Sequence, residues 1–334
     1  MNRMLYGRLE DGREVELVTL SNENAQVSIM TRGATVVSFK VFGNEIVGGY
    51  DSFEGYLQDT GSYQGATVGR VANRIANAEF TMDGAIYMLT ANDHGNCLHG
   101  GTGFSYKMWD IKEANDESAI FSYYSPDGED GFPSGVAIEV KFSLKDTALI
   151  IEYIAKPEGK TPIALTNHSY FNLDGFGEKI NDHVATIFAD RYTKVGDNLI
   201  PTGERPMVEG TAYDFRSPKK IGENFGCEVD GYDHNFILCP VFYKRFNDLS
   251  LALGATVTNG RLTLNVYTDQ PGIQFYTGNF LGGEPNFRGG VKRIKHGAFC
   301  LEAQTEPNCI NHSVGFYDAG EVYTQTTVYE VKKN

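Results

Sequence analysis

Apolar and polar residues alternate with a period of two along much of this chain. Val37, Phe39 and Val41 alternate with Ser38 and Lys40, and Ile138, Val140, Phe142 and Leu144 with Glu139, Lys141 and Ser143. After Lys145-Asp146 the pattern resumes at Leu149, Ile151 and Tyr153. Behind Asn259-Gly260, Leu262, Leu264 and Val266 alternate with Thr263 and Asn265. Successive side chains of a strand point to opposite faces, so each run predicts a strand with one face buried. The Lys-Asp and Asn-Gly breaks predict hairpin turns.

Helical periodicity is scarce. Two short segments, Phe53–Gln58 and 218–225, are expected as helices, and neither carries a long apolar stripe. The 38 glycines, among many Asn and Asp, suit frequent turns. There is no repeat of fixed period, no low-complexity tract and no Pro- or Ser-rich linker. The simplest architecture is a single domain over residues 1–334, all-β, a large antiparallel sandwich with few short helices.

A hydrophobic fraction of 41% suits a large core. No apolar run is long enough to span a bilayer, and the first ten residues lack the apolar stretch of a signal peptide. A cytoplasmic, non-membrane protein is expected. Five cysteines, an odd number without a Cys-x-x-Cys pair, suggest free and mostly buried thiols. The net charge of −14 comes with no basic block, which argues against nucleic acid and anionic membrane as partners. A neutral small molecule fits this surface better.

The candidate chemistry lies in short polar motifs. In Gly69-Arg70-Val71-Ala72-Asn73-Arg74-Ile75, Asn73 and Arg74 offer donors suited to vicinal hydroxyls, or else a surface ion pair and a turn. Leu98-His99-Gly100-Gly101 places a histidine before glycines that permit close backbone approach or positive φ. Thr166 to Gly175 packs Asn167, His168, Ser169, Tyr170, Asn172 and Asp174 around one Phe and one Leu. That density suits a binding site, or a turn whose Asn and Asp cap their own backbone. Asp233 neighbours His234, and Gln274 and Tyr276 would share a strand face. Glu302 follows Ala298-Phe299-Cys300-Leu301, so it is either paired or raised in pKa. Because these motifs interrupt the regular alternation, they are expected at strand ends or in loops.

Metal and nucleophile chemistry find little support. The seven histidines show no His-x-x-x-His spacing, and no Gly-x-Ser-x-Gly elbow or phosphate-binding glycine loop occurs. The acidic stretch 127–131 departs from the calcium-loop pattern and reads as a solvated turn between strands. No redox cofactor is indicated, and no metal is expected.

Together the motifs resemble the aldose 1-epimerase family. The matching residues are Gly69 to Ile75, Leu98 to Gly101, Asn167 to Leu173, Tyr232 to Asn235, Gln270 to Asn279 and Leu301 to Gln304, in the family's order over most of the chain. The resemblance implies a large β-sandwich that interconverts the α and β anomers of a free aldose without a cofactor. By motif position Glu302 looks like the general base and His168 the general acid. Asn73, Arg74, His99, Asp233 and Gln274 look like the substrate-binding set, with Tyr170 beside them. Ala303 stands where the family's pattern has proline or threonine between Glu and Gln. The segment 305–312 matches less clearly.

Anomer exchange takes a proton from the C1 hydroxyl and gives one to the ring oxygen. Burial raises a carboxylate's pKa and lowers a histidine's, so His168 needs an anionic neighbour, with Asp233 or Glu302 as candidates. A carbohydrate-binding protein without chemistry, a glycosidase with paired carboxylates and a hexose-6-phosphate epimerase are the alternatives. The expected partner is a small sugar, and the expected assembly a monomer or weak homodimer.

Overall fold

A computed structural model describes residues 2–334. Its largest sheet has ten strands. From one edge these run Asp110–Ala114, Ser118–Ser125, Val136–Lys145 and Ala148–Pro157, then the C-terminal Tyr323–Lys333, then Leu262–Thr268, Leu249–Thr258, Val184–Ile187 and Lys219–Lys220. Tyr243–Phe246 adds to Leu249–Thr258. The C-terminal strand lies mid-sheet, paired on one side with Ala148–Pro157 and on the other with Leu262–Thr268. It thereby joins strands from the two halves of the chain.

The predicted alternation sets the packing. In Val136–Lys145 the residues Val136, Ile138, Val140, Phe142 and Leu144 are buried and face inward. They meet Val18, Leu20, Val27, Ile29 and Phe39 of a five-stranded N-terminal sheet in one core. Both predicted turns are present, with Lys145↔Ala148 and Thr258↔Thr263 closing the hairpins. This is the all-β sandwich expected, with strand pairings antiparallel throughout the named sheets.

Phe53–Gln58 is a helix as predicted. The helix expected over 218–225 is not formed. Lys219–Lys220 instead pairs with Val184–Ala185, and the Ile221 N–H donates to the His183 carbonyl at 2.8 Å. With no apolar stripe to bury, this segment takes its hydrogen bonds from a sheet edge. The acidic stretch 127–131 does turn between strands, but it is not merely solvated. Glu129 accepts from the Tyr123 and Ser125 hydroxyls at 2.6 Å, and Asp130 accepts from the Thr102 N–H at 2.8 Å.

A four-stranded sheet carries the polar motifs: Ala189–Tyr192, Asp233–Leu238, Gly272–Tyr276 and Cys300–Gln304. One face is apolar, with Phe236, Ile273, Phe275, Leu301 and Ala303 in the main core. The other presents Asp233, Asn235, Gln274, Tyr276, Cys300, Glu302 and Gln304. Among the described residues no helix is long and apolar enough to cross a membrane. All five cysteines are free, and Cys97, Cys300 and Cys309 are buried.

Candidate active site

Strand register builds the floor of a cleft. Gln274 pairs with Glu302 and with Asn235, while Tyr276 pairs with Cys300 and with Asp233. Directly opposed residues share a face, so two parallel rows of polar side chains point the same way. Gln274 Nε2 donates to Asp233 Oδ1 at 2.7 Å, which orients both. Above this floor is a cavity of about 380 Å³ lined by residues including Asn73, Arg74, His99, His168, Tyr170, Asp233 and Glu302.

The expectation that these motifs sit at strand ends or in loops is corrected here. Gln274 and Glu302 are within strands, and Asp233 opens one. Both faces of this sheet are buried, one by the core and one beneath the cleft. A polar row therefore replaces the solvent-facing row that alternation ordinarily signals.

The stretch from Thr166 divides its polar residues between two tasks. Asn167 Nδ2 donates to the Gly65 carbonyl at 3.0 Å, and Asn167 Oδ1 accepts from the Ser169 N–H at 3.1 Å. Asn172 Nδ2 donates to the Gly297 carbonyl at 2.9 Å, and Asn172 Oδ1 accepts from the Asp174 N–H at 3.0 Å. These residues hold the backbone, while His168 and Tyr170 line the cavity. His168 Nε2 comes within 3.7 Å of Glu302 Oε1, and both side chains are buried.

His99 sits at φ 53° and is coupled to Asn73 twice. Its N–H donates to the Asn73 carbonyl at 3.1 Å, and its Nδ1 accepts the Asn73 N–H at 3.2 Å. Gly100 follows at φ 77°, and a Cβ there would stand 2.2 Å from the Gly69 carbonyl oxygen. Only glycine fits this close approach. Arg74 realises both readings of its motif, because it lines the cavity and its Nε donates to Asp93 at 2.7 Å. Arg70 is structural. Its buried guanidinium donates to the carbonyls of Pro133 and Ser134 and to the Thr161 and Ser125 hydroxyls, and burial pulls its pKa down to about 10.

Burial dominates the electrostatics. It pushes Glu302 well above the ordinary carboxylate range, with nearby Asp233 adding to the effect. It raises Asp233 too, against the pull of Arg74 and the Gln274 hydrogen bond. His168 falls to about 4 and His99 well below its ordinary value, both mainly through desolvation. Burial in the cleft thus favours a neutral carboxyl and neutral imidazoles. Among anions, Asp59 opposes the fall of His168, a partner the sequence did not single out.

Ligating atoms of His99, His168 and Glu302 all lie within 4.8 Å of one another, so folding assembles a cluster that sequence spacing could not reveal. Its hydrogen bonding bears on what it can hold. Because His99 Nδ1 accepts from Asn73, the neutral ring carries its proton on Nε2. It offers a donor there rather than a lone pair, which suits an oxygen-rich ligand better than a cation.

Sequence reasoning also missed the wall formed by Gln58 to Tyr63. Asp59 is fixed by Tyr50, by the Ser62 hydroxyl and by Arg293 at 3.3 Å. Tyr63 lays its ring against His99 and His168, with centroids 4.5 and 6.1 Å apart. Phe280 stands 74% exposed beside the cleft. No motif marks Tyr63 or Phe280, since only the fold brings them to the rim.

A sugar-sized polar cleft on an antiparallel sandwich, with acid–base side chains face to face, defines the class as a carbohydrate-directed isomerase. Comparison with known proteins makes this particular. The pattern of the family described as Aldose 1-epimerase matches residues 16–330. Galactose mutarotase of Bos taurus is 41% identical over 99% of this chain and 98% of its own length. Aldose 1-epimerase of Escherichia coli K12 is 36% identical over 96% of each. The crystal structure of galactose 1-epimerase from Lactobacillus acidophilus superposes with a TM-score of 0.87 at 26% identity, covering 100% of this chain and 98% of that one. The chain belongs to the aldose 1-epimerase family. It is an isomerase that interconverts the α and β anomers of free aldoses.

Proposed function

We propose that Glu302 is the base that takes the proton from O1 of an unphosphorylated aldose, and that His168 Nε2 is the acid that protonates O5. The ring opens to an aldehyde, the C1–C2 bond rotates, and closure on the other carbonyl face returns both protons. Passing the Glu302 proton to His168 Nε2, 3.7 Å away, turns the neutral pair into the carboxylate and imidazolium that this step uses, and no net proton leaves the pair in a cycle. The observation that supports this reading is the 3.7 Å approach of His168 Nε2 to Glu302 Oε1 in the cleft. O1 and O5 are bonded to one carbon, so their acid and base must be near neighbours. Carboxyl pairs that cleave glycosides stand roughly 5 to 10 Å apart.

The neutral-ligand reading draws on charge. Around the cleft, Arg74 is paired with Asp93 and Arg293 with Asp59, while Asp233, Glu284 and Glu302 add acidic groups. A phosphate would meet no spare cation among these lining residues. Galactose and glucose are the substrates in view, held by Asn73, Arg74, His99, Tyr170, Asp233 and Gln274. Arg74 and the His99 Nε2 donor would stabilise charge on the ring oxygen.

The whole chain acts as one domain, supported by a core that runs from Val18 to Val331. A cytoplasmic setting is supported by the five free thiols, and a monomer or weak homodimer is the working assembly. Polarimetry of freshly dissolved α-galactose or α-glucose tests the reading. Catalytic amounts of protein should speed the approach to equilibrium, and Glu302→Gln or His168→Asn should abolish most of the effect. Unchanged turnover in either folded variant rejects the assignment.

A further inference from the structure

We propose that Gln304 is a positioning residue whose amide holds a buried water, and that this water donates a hydrogen bond to Glu302 Oε2 and fixes the plane of the carboxyl group. The inference rests on the reading of Glu302 as the base. Gln304 ends the strand Cys300–Gln304, two residues beyond Glu302, so both side chains rise from one face. Gln304 is 0% exposed, yet neither its Oε1 nor its Nε2 has a hydrogen-bond partner within the protein. Asn235 Oδ1, Gln274 Oε1 and Glu302 Oε2 are buried in the same condition.

Strand register brings these atoms together. Glu302 pairs with Gln274 and Gln274 with Asn235, while Gln304 pairs with Gly272. Gly272 adds no side chain to that face, and the Asn235 amide leans over it. A Cβ at Gly272 would stand 2.5 Å from Asn235 Oδ1. Asn235 Nδ2 is committed to Thr193 Oγ1 at 3.1 Å, and Gln274 Nε2 to Asp233. The cluster is left with four acceptor oxygens and a single amide NH₂, that of Gln304. Buried polar groups are paired almost without exception. A site rich in acceptors and poor in donors suits a ligand with two hydrogens and a lone pair, which is water. A cation there would meet the Gln304 amide hydrogens and bury its charge beside a carboxyl that burial holds neutral.

The place of the water bears on the reaction. Glu302 turns Oε1 to His168 Nε2 at 3.7 Å, and its proton passes on that side. Oε2 is an acceptor both before and after the transfer. Its bond from the water strengthens as charge develops, because hydrogen bonds to ionised groups are roughly twice as strong as neutral ones. With Gln304 Nε2 donating to it, the water keeps both of its own hydrogens for Glu302 Oε2 and Asn235 Oδ1. Gln304 thus favours the carboxylate–imidazolium form of the pair and keeps Oε1 aimed at O1, without touching the sugar.

Crystallography tests the site first. A high-resolution map of the full chain should show an ordered water within about 3 Å of Glu302 Oε2, the Gln304 amide and Asn235 Oδ1. Gln304→Met, which keeps the side-chain length without the amide, should lose that water. Its kcat should fall about ten- to a hundredfold at nearly unchanged KM, the effect of losing one hydrogen bond to a charged group. Infrared spectra give a second readout, with the carboxyl C=O band of Glu302 assigned by its loss in Glu302→Gln. In Gln304→Met that band should move to higher wavenumber, as a carbonyl does when it loses a donor, whereas a merely structural Gln304 would leave it in place. Direct bonding of the Gln304 amide to Glu302 Oε2, a cation at the position, a wild-type kcat in Gln304→Met or an unmoved band overturns the proposal. Should Gln304→Met fail to fold, the wild-type map alone decides. A fully active Glu302→Gln would remove the catalytic reading and leave the water and the band shift in place.

Discussion

Replacing His168 with asparagine tests the electrostatics of the cleft through stability. Burial lowers this histidine from 6.5 to about 4. A group whose pKa falls on folding contributes nothing unfavourable well above its unfolded value. As pH drops, the unfolded chain takes up the proton first and the native state is progressively disfavoured. The loss begins near pH 6.5 and levels off below about pH 4. A shift of roughly 2.5 units corresponds to about 3 kcal/mol at the acid limit. At about pH 5.5 the loss is about 1.4 kcal/mol, and at about pH 4.5 about 2.5 kcal/mol. His168→Asn cannot titrate, so whatever it loses in packing is the same at each pH. Urea unfolding of both proteins near pH 7.5 and pH 4.5 isolates the titration as the change in their difference. The wild type should lose about 2.5 kcal/mol relative to the variant on acidification. A change below about 1 kcal/mol would mean that the folded protein tolerates a charged His168, and the argument from burial would fail.

Glu302 behaves with the opposite sign. Its raised pKa gives stability that is full below the ordinary carboxylate value and lost as pH rises. Glu302→Gln should therefore melt higher than wild type near neutral pH, with the gap closing toward about pH 4, while turnover by polarimetry falls about 10²- to 10⁴-fold. Gly100→Ala should cost about 1 kcal/mol or more in urea unfolding, because its Cβ would meet the Gly69 carbonyl at 2.2 Å, and should raise KM by displacing His99. Arg70→Met removes a buried guanidinium from the carbonyls of Pro133 and Ser134, and a loss of about 3 to 5 kcal/mol is expected, read from the urea midpoint.

Much of the site was legible because each motif holds a residue whose chemistry packing does not require. His99, His168 and Glu302 stood out that way, and folding brings the three together. Other features were legible only in part. Asn167 and Asn172 looked as functional as His168, yet they bond the backbone, and the Ser169 hydroxyl is spent on Asn167 Oδ1. A polar side chain that caps a loop and one that faces a ligand are the same letters in sequence. Tyr63, Asp59 and Phe280 left no signal, since aromatic and acidic residues are common in any surface segment.

The alternation from Val136 to Tyr153 was sufficient to specify paired strands, because a period of two has one face to bury whatever it packs against. The failed helix at 218–225 shows the converse. Without an amphipathic stripe, the segment's backbone partners were chosen by the neighbouring strand Val184–Ile187. Sequence alone also set the types of proton-transferring group and the two-residue spacing from Cys300 to Glu302. Tertiary structure alone decided that His168, more than a hundred residues earlier, faces that strand at 3.7 Å. It also decided the pKa values, since desolvation depends on every neighbour that excludes water and not on the residue itself.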